Sequence, residues 1–531
     1  MSKIMKNSFS PQRKEDKPIS AANLVNSVEE TPTRVESKVI GTIPDWISGD
    51  LFRNGPGKFE AGDDKVGHLF DGFALMHKFE IAKGKVFYSS RFLRGEAYTK
   101  AMAQNRIVIS GFGTSALPDP CKSIFSRFFS FFQPPPASDN CNVNYMQIGE
   151  DFYALTESPR FVKVNPEVLQ TEHEHDIRKY VAVHVATAHP HYGDDQTVYN
   201  MGSSFGGQSF YNIIKIPPPN PAYSGSTTDP LKKASVLCKI PASSSLYPSY
   251  FHSFAITPNY IVFLEQPLTI NIFKIVFARI LGQNFASCIN YTPSSFAKFY
   301  VIRLEDGAIL PQKYTADAFF CFHHINAFED DGHLVVDLCA YDDIRVIFGT
   351  YMDVLKRGNG SVSNAFAKRF ILPMVDGTDE LSKENLVSLD YCEASAYLLE
   401  DGSIQCTPET LSQGQNVELP RINYEQYNGQ KYRYFYSLSG DVQKIVKVDT
   451  VKKSFKLWED PSCYPSEPVF VPRPGAEEED DGVVLSSVID LKGTGRPPFL
   501  VVLDAKSFTE LARAEIPAGV PKSFHGIFIQ K

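Results

Sequence analysis

Short apolar runs, broken by glycine, proline, asparagine and aspartate, follow one another from about residue 36 to the end of the sequence. β-Branched and aromatic residues are frequent in these runs, as they are in strands. Convincing helical periodicity is rare, so the pattern predicts an all-β protein. The clearest predicted strands are Lys85–Tyr88, Asn259–Leu264, Lys298–Arg303, His333–Asp337, Lys444–Asp449 and Phe499–Leu503.

Dipeptides typical of tight turns separate many of these runs, as hairpins require. They are Asp306-Gly307, Asp331-Gly332, Asp401-Gly402, Asn428-Gly429 and Asp481-Gly482. Short strands over nearly 500 residues, without a long linker, favour one large β-propeller over a sandwich. No WD or kelch repeat gives the number of blades. We predict one domain over residues 36–531 and a flexible N-terminal tail over residues 1–35.

Two segments have helical rather than strand-like patterns. In Cys121–Gln133, apolar residues fall on one helical face, and Leu268–Leu281 is apolar apart from Lys274 and Arg279. Each is either a core helix with a solvated basic residue or a segment that lies in a membrane interface. The candidate membrane residues are Phe125, Phe128, Phe129, Phe132, Ile272, Phe273 and Phe277.

Composition narrows the class of protein. The chain is 43% hydrophobic and 21% charged, as is usual for a globular enzyme, and its net charge of −8 argues against a nucleic-acid partner. Nothing in the sequence indicates an obligate protein partner. The 40 phenylalanines and 25 tyrosines fit an apolar ligand tunnel or a large β core equally well. No apolar run is long enough to span a membrane.

Cysteines and the N-terminus bear on the compartment. Nine dispersed cysteines without a CxxC pair indicate reduced thiols and an intracellular protein. The first twenty residues lack the apolar core of a secretory signal and carry five basic residues beside Glu15 and Asp16. This stretch is either a disordered tail or a mitochondrial presequence.

Four of the twelve histidines stand in apolar, strand-like contexts: His189, His252, His323 and His525. They are separated by 63, 71 and 202 positions, and the last interval is close to three times the mean of the first two. Equivalent strands of a radial repeat would give such steps and could point the side chains to one axis. Converging neutral imidazoles would bind a divalent transition metal.

Three glutamates beside proline-containing turns are candidates to orient these histidines: Glu157, Glu418 and Glu467. A metal-bound histidine usually donates its second N–H to a carboxylate or carbonyl group. For any one glutamate, an arginine or backbone amides could equally satisfy a buried carboxylate.

A set of short motifs in the same order resembles the carotenoid cleavage oxygenase family. The motifs are Arg53–Gly57, His68–Gly72, Pro118–Lys122, Ala188–His191, Phe322–Ala327, Tyr464–Pro468 and Phe524–Gly526. The resemblance implies a seven-bladed β-propeller with a helical and loop cap. It also implies Fe(2+) held by His189, His252, His323 and His525. The family patterns AHP and FHxxNA select His189 over His191 and His323 over His324.

The resemblance further implies that Glu157, Glu418 and Glu467 orient three of the histidines. The substrates would be a carotenoid and dioxygen, with both oxygen atoms entering two carbonyl products. Phe112 would line the substrate tunnel by the same comparison. The two amphipathic segments would form a peripheral membrane contact at its mouth. Cys121 is either acylated there or an ordinary buried thiol.

Cleavage position divides the animal branches of this family. Residues 29–54 and 464–474 look most like eccentric 9′,10′-cleaving enzymes, whereas 417–434 and 503–514 look more like central 15,15′-cleaving ones. We expect eccentric cleavage to apo-10′-carotenals and ionones, with xanthophylls possible substrates and a mitochondrial location. Central cleavage would give retinal in a cytosolic, membrane-associated enzyme. The motifs also fit a retinyl-ester isomerohydrolase or a non-catalytic carotenoid-binding propeller.

Overall fold

Seven sheets surround one axis in the computed structural model, and almost all neighbouring strands in them are antiparallel. The structure describes residues 24–116, 137–219, 229–281, 283–357, 363–375, 384–440, 443–461, 463–490 and 493–531. These sheets are the blades of a β-propeller, which confirms the predicted fold class.

The strands of the first half of the chain are β1 (Val35–Glu36), β2 (Lys38–Gly41), β3 (Gly49–Arg53), β4 (Pro56–Lys58), β5 (Glu60–Ala61), β6 (Asp64–Lys65), β7 (Phe73–Ala82), β8 (Lys85–Phe92), β9 (Asn144–Ile148), β10 (Asp151–Leu155), β11 (Arg160–Asn165), β12 (Gln170–Asp176), β13 (Val185–Ala186), β14 (His191–Tyr192), β15 (Val198–Ser204), β16 (Phe210–Ile216), β17 (Ser235–Pro241), β18 (Ala255–Ile256), β19 (Tyr260–Glu265) and β20 (Leu268–Ile270). Those of the second half are β21 (Ile289–Tyr291), β22 (Ala297–Arg303), β23 (Lys313–Ala316), β24 (Phe320–Asp330), β25 (His333–Tyr341), β26 (Ala365–Pro373), β27 (Ser395–Leu398), β28 (Ser403–Thr407), β29 (Glu409–Thr410), β30 (Glu418–Arg421), β31 (Tyr434–Leu438), β32 (Lys444–Asp449), β33 (Ser454–Glu459), β34 (Cys463–Pro465), β35 (Val469–Pro472), β36 (Gly482–Asp490), β37 (Phe499–Asp504), β38 (Glu510–Glu515) and β39 (Gly526–Gln530). All six strands singled out in the sequence are present.

The blades follow the chain. Blade I pairs β39-β3-β7-β8-β1, blade II β9 to β12, and blade III β13 and β14 with β15 to β17. Blade IV is β18-β19-β22-β23 with β28 and β27 outside, blade V β24-β25-β26-β29, and blade VI β30 to β33. Blade VII is β34 and β35 with β36-β37-β38-β2. The first strands of adjacent blades touch (β18 with β24, β24 with β30, β35 with β39), so they line the centre.

The ring is closed by strands from opposite ends of the chain. In blade I, β3 pairs with β39, with Leu51 opposite Phe528. In blade VII, β2 pairs with β38, with Ile40 opposite Arg513. Both closures are antiparallel ladders, so the ring is joined by backbone hydrogen bonds as well as by apolar packing.

The boundary of the predicted N-terminal tail is corrected by the structure. Leu24 and Val25 are 5% and 4% exposed within the core of blade I. β1 then places Val35 beside Tyr88 of β8. Residues 24–35 pack against the propeller because their apolar side chains complete the first blade. Residues 1–23 lie outside the described residues.

Turn chemistry explains several of the hairpins. Asp331 and Gly332 have φ of 41° and 72° between β24 and β25, the conformation of a two-residue hairpin turn that favours glycine. Gly482 is different, because it begins β36 rather than forming a turn. A Cβ there would lie 2.3 Å from the carbonyl oxygen of Val471, so close strand approach requires glycine.

Short helices lie among the connecting loops. They are α1 (Glu96–Gln104), α2 (Ile272–Leu281), α3 (Arg345–Gly349), α4 (Met352–Arg357) and α5 (Tyr424–Tyr427). The Asn271 side chain accepts the N–H of Lys274 at 3.0 Å and so caps α2. The other predicted amphipathic segment, with Phe125, Phe128, Phe129, Phe132 and Cys121, lies outside the described residues. Within the described chain, no helix is both long and apolar enough to cross a membrane.

Candidate metal centre

Four histidine side chains meet at the centre of the ring, and they are the four that the sequence predicted. His189 lies between β13 and β14, His252 precedes β18, His323 lies within β24 and His525 precedes β39. One nitrogen from each lies within 4.8 Å of the others. The four residues belong to blades III, IV, V and I, so the radial spacing in the sequence reflects the positions of the first strands.

Three of these histidines are each held by one glutamate. Nδ1 of His252 lies 2.5 Å from Glu157 Oε1, and Nδ1 of His323 lies 2.6 Å from Glu418 Oε2. The glutamates come from the remaining blades, since Glu157 follows β10, Glu418 begins β30 and Glu467 lies between β34 and β35.

The third pair completes the pattern. Nδ1 of His525 lies 2.8 Å from Glu467 Oε1. His189 has no such carboxylate among the described residues, and its backbone N–H is bound instead by the hydroxyl of Thr187. This division matches what the family resemblance implied.

These hydrogen bonds place the lone pairs of the histidines at the centre. In a neutral imidazole whose Nδ1–H is donated to a carboxylate, Nε2 carries the lone pair, and Nε2 is the atom that His252 and His323 turn to the centre. Yet Nε2 of His252 lies 3.2 Å from Nε2 of His323 and 2.9 Å from Nε2 of His189. Facing lone pairs at this distance repel, unless a cation lies between them.

A transition metal fits this donor set. With metal–nitrogen bonds of about 2.0–2.1 Å, two imidazoles at a right angle would place their nitrogens about 2.9 Å apart. The observed spacings are close to that value. An all-imidazole set is neutral and selects iron, copper, nickel or zinc over magnesium or calcium. The residues therefore fit ferrous iron without requiring it over similar metals.

Burial keeps the ligands in the protonation state that metal binding needs. Burial lowers the pKa of His189 well below its usual value, and repulsion from His252 acts in the same direction. Burial lowers the pKa of His525 to about 4, although the carboxylate of Glu467 opposes the shift. Both imidazoles are therefore neutral at pH 7 and can act as ligands.

The glutamates stay ionised for specific reasons. Burial alone would raise the pKa of Glu467, but Arg421, His525 and Arg53 lower it to about 2. Burial would likewise raise the pKa of Glu418. The pKa is nevertheless lowered, and His323 contributes most to the lowering. Each carboxylate can therefore accept an Nδ1–H at neutral pH.

The sequence did not single out the residues that hold these glutamates. Arg53 Nη1 lies 3.0 Å from Glu467 Oε2, and both side chains are almost completely buried. The hydroxyl of Tyr250 lies 3.0 and 2.9 Å from the two oxygens of Glu157. Tyr250 is two residues before His252, so strand periodicity could have placed both on one face. Arg53 begins one of the family motifs.

The rival histidines point elsewhere. Nδ1 of His191 lies 2.9 Å from the hydroxyl of Tyr424, and Nδ1 of His324 lies 2.8 Å from the hydroxyl of Ser253. Geometry therefore agrees with the choice of His189 and His323. His68 is also occupied within the protein, since it is buried with Nε2 2.9 Å from the carbonyl oxygen of Ile347.

A cavity of about 1320 Å³ opens onto the histidines, and His252, His323 and His525 form part of its wall. Its volume exceeds the range of about 300–1000 Å³ that is usual for ligand pockets. Phe112 lines it, with ring centroids 4.9 Å from His68 and 5.6 Å from Phe285. Most of the remaining wall is aliphatic or aromatic, so the cavity suits a long apolar molecule.

Comparison with known proteins agrees with this geometry. The sequence profile of the retinal pigment epithelial membrane protein family matches residues 24–530. The chain belongs to this family. The match spans nearly all of the propeller and confirms the family resemblance inferred from the motifs.

Curated relatives cover almost the whole chain. A ferret (Mustela putorius furo) protein named carotenoid-cleaving dioxygenase, mitochondrial, is 45% identical over 526 residues, which are 96% of either chain. The human protein of that name is 44% identical and covers 96% of this chain and 90% of its own. A mouse β,β-carotene 15,15′-dioxygenase is 43% identical, over 93% of this chain and 89% of its own.

Solved structures share the fold. A variant of Synechocystis apocarotenoid oxygenase has a TM-score of 0.77 at 21% identity and covers 98% of this chain and 100% of its own. Cobalt-substituted Synechocystis apocarotenoid oxygenase has a TM-score of 0.75 at 22% identity, over 97% of this chain and 100% of its own. At these identities the likeness establishes the propeller alone.

Proposed function

We propose that this protein is an Fe(II)-dependent dioxygenase that cleaves a double bond of a carotenoid. One observation carries the proposal: a centre of four histidines forms part of the wall of a large apolar cavity. The full-length identity to carotenoid-cleaving dioxygenases supports it. His189, His252, His323 and His525 would hold the iron, and Glu157, Glu418 and Glu467 would fix three of the rings.

The chain's own groups would position the substrate rather than react with it. Bound ferrous iron would supply the activation of dioxygen that cleavage of an alkene needs. Apolar walls would exclude water and hold one bond of a rigid polyene over the centre. We assign Phe112 to that wall, because its ring lies between His68 and Phe285 at the cavity surface.

Eccentric 9′,10′ cleavage is the regiochemistry that we propose. The segments at residues 29–54 and 464–474 support it, and the mitochondrial carotenoid-cleaving relatives are 44–45% identical, against 42–43% for the 15,15′-dioxygenases. The names of the first group also support a mitochondrial location. Central cleavage is the second candidate, since the 15,15′-dioxygenases are almost as similar.

Peripheral membrane contact through α2 is part of the proposal. Phe273, Val276 and Phe277 are 54%, 59% and 47% exposed on this helix. The carbonyl oxygen of Leu246 accepts the N–H of Ile272, which brings the exposed Leu246 and Tyr247 beside the helix. Ile272, which we expected in the same apolar surface, instead packs against the core and lines the cavity. Carotenoids dissolve in the bilayer. A helix that contacts both the membrane and the cavity would therefore mark the entrance through which the substrate reaches the cavity.

Product analysis tests the reaction. Iron-loaded protein purified without oxygen would be mixed with β-carotene or zeaxanthin in detergent, with and without dioxygen, and the products identified by mass. Oxygen-dependent apo-10′-carotenals and ionones are expected. Retinal alone would replace the proposal with central cleavage. Turnover of retinyl ester without oxygen, and no carotenoid cleavage, would mean an isomerohydrolase.

Two variants test the centre itself. His252→Ala and His525→Ala should abolish cleavage and leave the circular-dichroism spectrum unchanged, because each removes one metal ligand. His173→Ala, on the exposed strand β12, is the matched control and should keep full activity. Full activity in either ligand variant would contradict the metal role and favour a non-catalytic carotenoid-binding propeller.

A further inference from the structure

A lysine amine lies in the wall of the apolar cavity. Lys522 and Tyr464 both line the cavity, and Lys522 Nζ donates to the Tyr464 hydroxyl at 2.8 Å. The same amine lies 4.9 Å from the centre of the Tyr464 ring. Leu69 and Phe524 line the same cavity and pack in one apolar cluster with Tyr464, the residue that the amine contacts.

The amine has spare hydrogen-bonding capacity. An ammonium has three N–H donors, and Tyr464 is its single acceptor among the described residues. No described carboxylate lies within ion-pair distance of it. Lys522 is only partly buried, and it lines the cavity. Burial lowers the pKa of Lys522 to about 8, which shows how poorly the charge is compensated.

Lys522 is also near one of the four histidines along the chain. Lys522 precedes His525 by three residues, so their Cα atoms are at most about 11 Å apart even in a fully extended chain. Lys522 and three of the histidines line the same cavity, so one long apolar ligand could contact both. A donor without enough acceptors in an apolar wall is costly unless the ligand supplies an acceptor.

We propose that Lys522, supported by Tyr464, binds an oxygen atom on the end group of the substrate and so selects carotenoids with a hydroxyl or carbonyl end group over pure hydrocarbons. This inference rests on the proposed carotenoid function. Lys522 would act as a specificity-determining residue: the ammonium donates to the ligand oxygen, while the hydrocarbon chain extends past the histidines.

Zeaxanthin and β-carotene are the matched ligands for the test, since they differ by the ring hydroxyl groups. Binding to the iron-loaded protein without dioxygen would be followed by absorbance, so that no cleavage occurs. Lys522→Met should weaken zeaxanthin binding about tenfold, as expected for loss of one charged hydrogen bond. β-Carotene binding should be unchanged, which also verifies that the cavity is intact.

Two further variants sharpen the result. Lys522→Arg keeps a cationic donor and should restore most of the preference for zeaxanthin. Lys506→Met removes an exposed lysine that pairs with Glu478 and should change neither ligand's affinity. With dioxygen present, Lys522→Met should raise the KM for zeaxanthin and leave kcat unchanged.

Equal effects of Lys522→Met on both ligands, or no effect on either, would overturn this inference and leave the proposed function standing. Conversely, a zeaxanthin-specific loss of binding in a protein that never cleaves carotenoids would overturn the proposed function and support the binding site.

Discussion

Arg53 and Glu467 form a buried ion pair that joins the first and last blades, with 3.0 Å between Nη1 and Oε2. The other oxygen of Glu467, Oε1, lies 2.8 Å from Nδ1 of His525. Nε–H of Arg53 donates to the hydroxyl of Ser523 and an Nη2–H donates to the carbonyl oxygen of Phe524, beside the same histidine. One arginine therefore fixes both the carboxylate and the backbone next to a proposed metal ligand.

Arg53→Met should be strongly destabilising. It leaves Glu467 buried with only Arg421, 3.8 Å away, as a cationic partner, and removing one member of a buried pair costs about 3–5 kcal/mol. Urea denaturation of the metal-free protein measures the loss. Arg357→Met, which breaks an exposed pair with Asp353, should cost less than about 1 kcal/mol. Similar small losses in both variants would mean that the buried pair does not hold the blades together.

Glu418→Gln should weaken metal binding without removing a ligand. The amide cannot match a carboxylate as acceptor for Nδ1 of His323, and loss of such a partner typically lowers metal affinity by about 10- to 100-fold. Thermal unfolding with increasing Fe(II) or Co(II) reports this affinity. A hundredfold excess over the dissociation constant stabilises the wild type by about 2.7 kcal/mol. Glu478→Gln, an exposed carboxylate, is the control. Identical metal titrations for all three proteins would refute the orienting role.

The stability of Asp71→Asn relative to the wild type should depend on pH. Burial raises the pKa of Asp71 to about 6, although hydrogen bonds from Thr114, Gly113 and Phe112 oppose the shift. Because the folded-state pKa lies above the unfolded value, the folded protein binds more protons between about pH 4 and pH 6. Burying the ionised carboxylate lowers the free energy of unfolding. This loss is absent below the window and complete above it.

The asparagine variant should therefore gain about 2–3 kcal/mol relative to the wild type between pH 4 and pH 7. Chemical denaturation at several pH values measures the difference. Thr114→Val, which keeps the carboxyl group but removes one hydrogen bond to it, should keep or steepen the wild-type pH dependence. Parallel stability curves for wild type and Asp71→Asn would show that Asp71 titrates normally.

Substitution of the exposed aromatic residues on α2 should reduce membrane binding. Phe273→Ser with Phe277→Ser removes two of the largest exposed apolar side chains of this helix, each worth about 1.5–3 kcal/mol when fully buried. Co-sedimentation with phosphatidylcholine vesicles should fall at least tenfold. Phe455→Ser, on the outer strand β33, is the matched control and should bind vesicles as the wild type does. Equal binding of all three proteins would place the membrane contact elsewhere.

Much of the fold and of the metal centre followed from the sequence. Apolar runs and turn dipeptides define strands locally. The four histidines stood out by their apolar contexts and spacing, and the resemblance to the family motifs selected them over His191 and His324. The contacts of Arg53 and Lys522 could not be predicted, because each depends on a residue in another blade. Arg53 and Glu467 are 414 residues apart, and no local pattern encodes that pairing.

Two predictions from the sequence were corrected by the structure: the end of the N-terminal tail and the place of Ile272 in the exposed apolar surface. Val35 belongs to a two-residue edge strand, too short for a periodic pattern, and its order depends on the surface of β8. Ile272 shares a helix with exposed phenylalanines, and composition alone does not show which side of α2 faces the cavity.

The position of β39 has a consequence for how the enzyme matures. During synthesis His189, His252 and His323 leave the ribosome in that order. His525 follows much later, directly before β39, the strand that pairs with β3 and closes the ring. Until this strand has paired, the chain can therefore bring together at most three of the four histidines. If these histidines hold iron as proposed, the complete set of four ligands would exist only after the ring has closed, so metal binding would follow the pairing of the last strand.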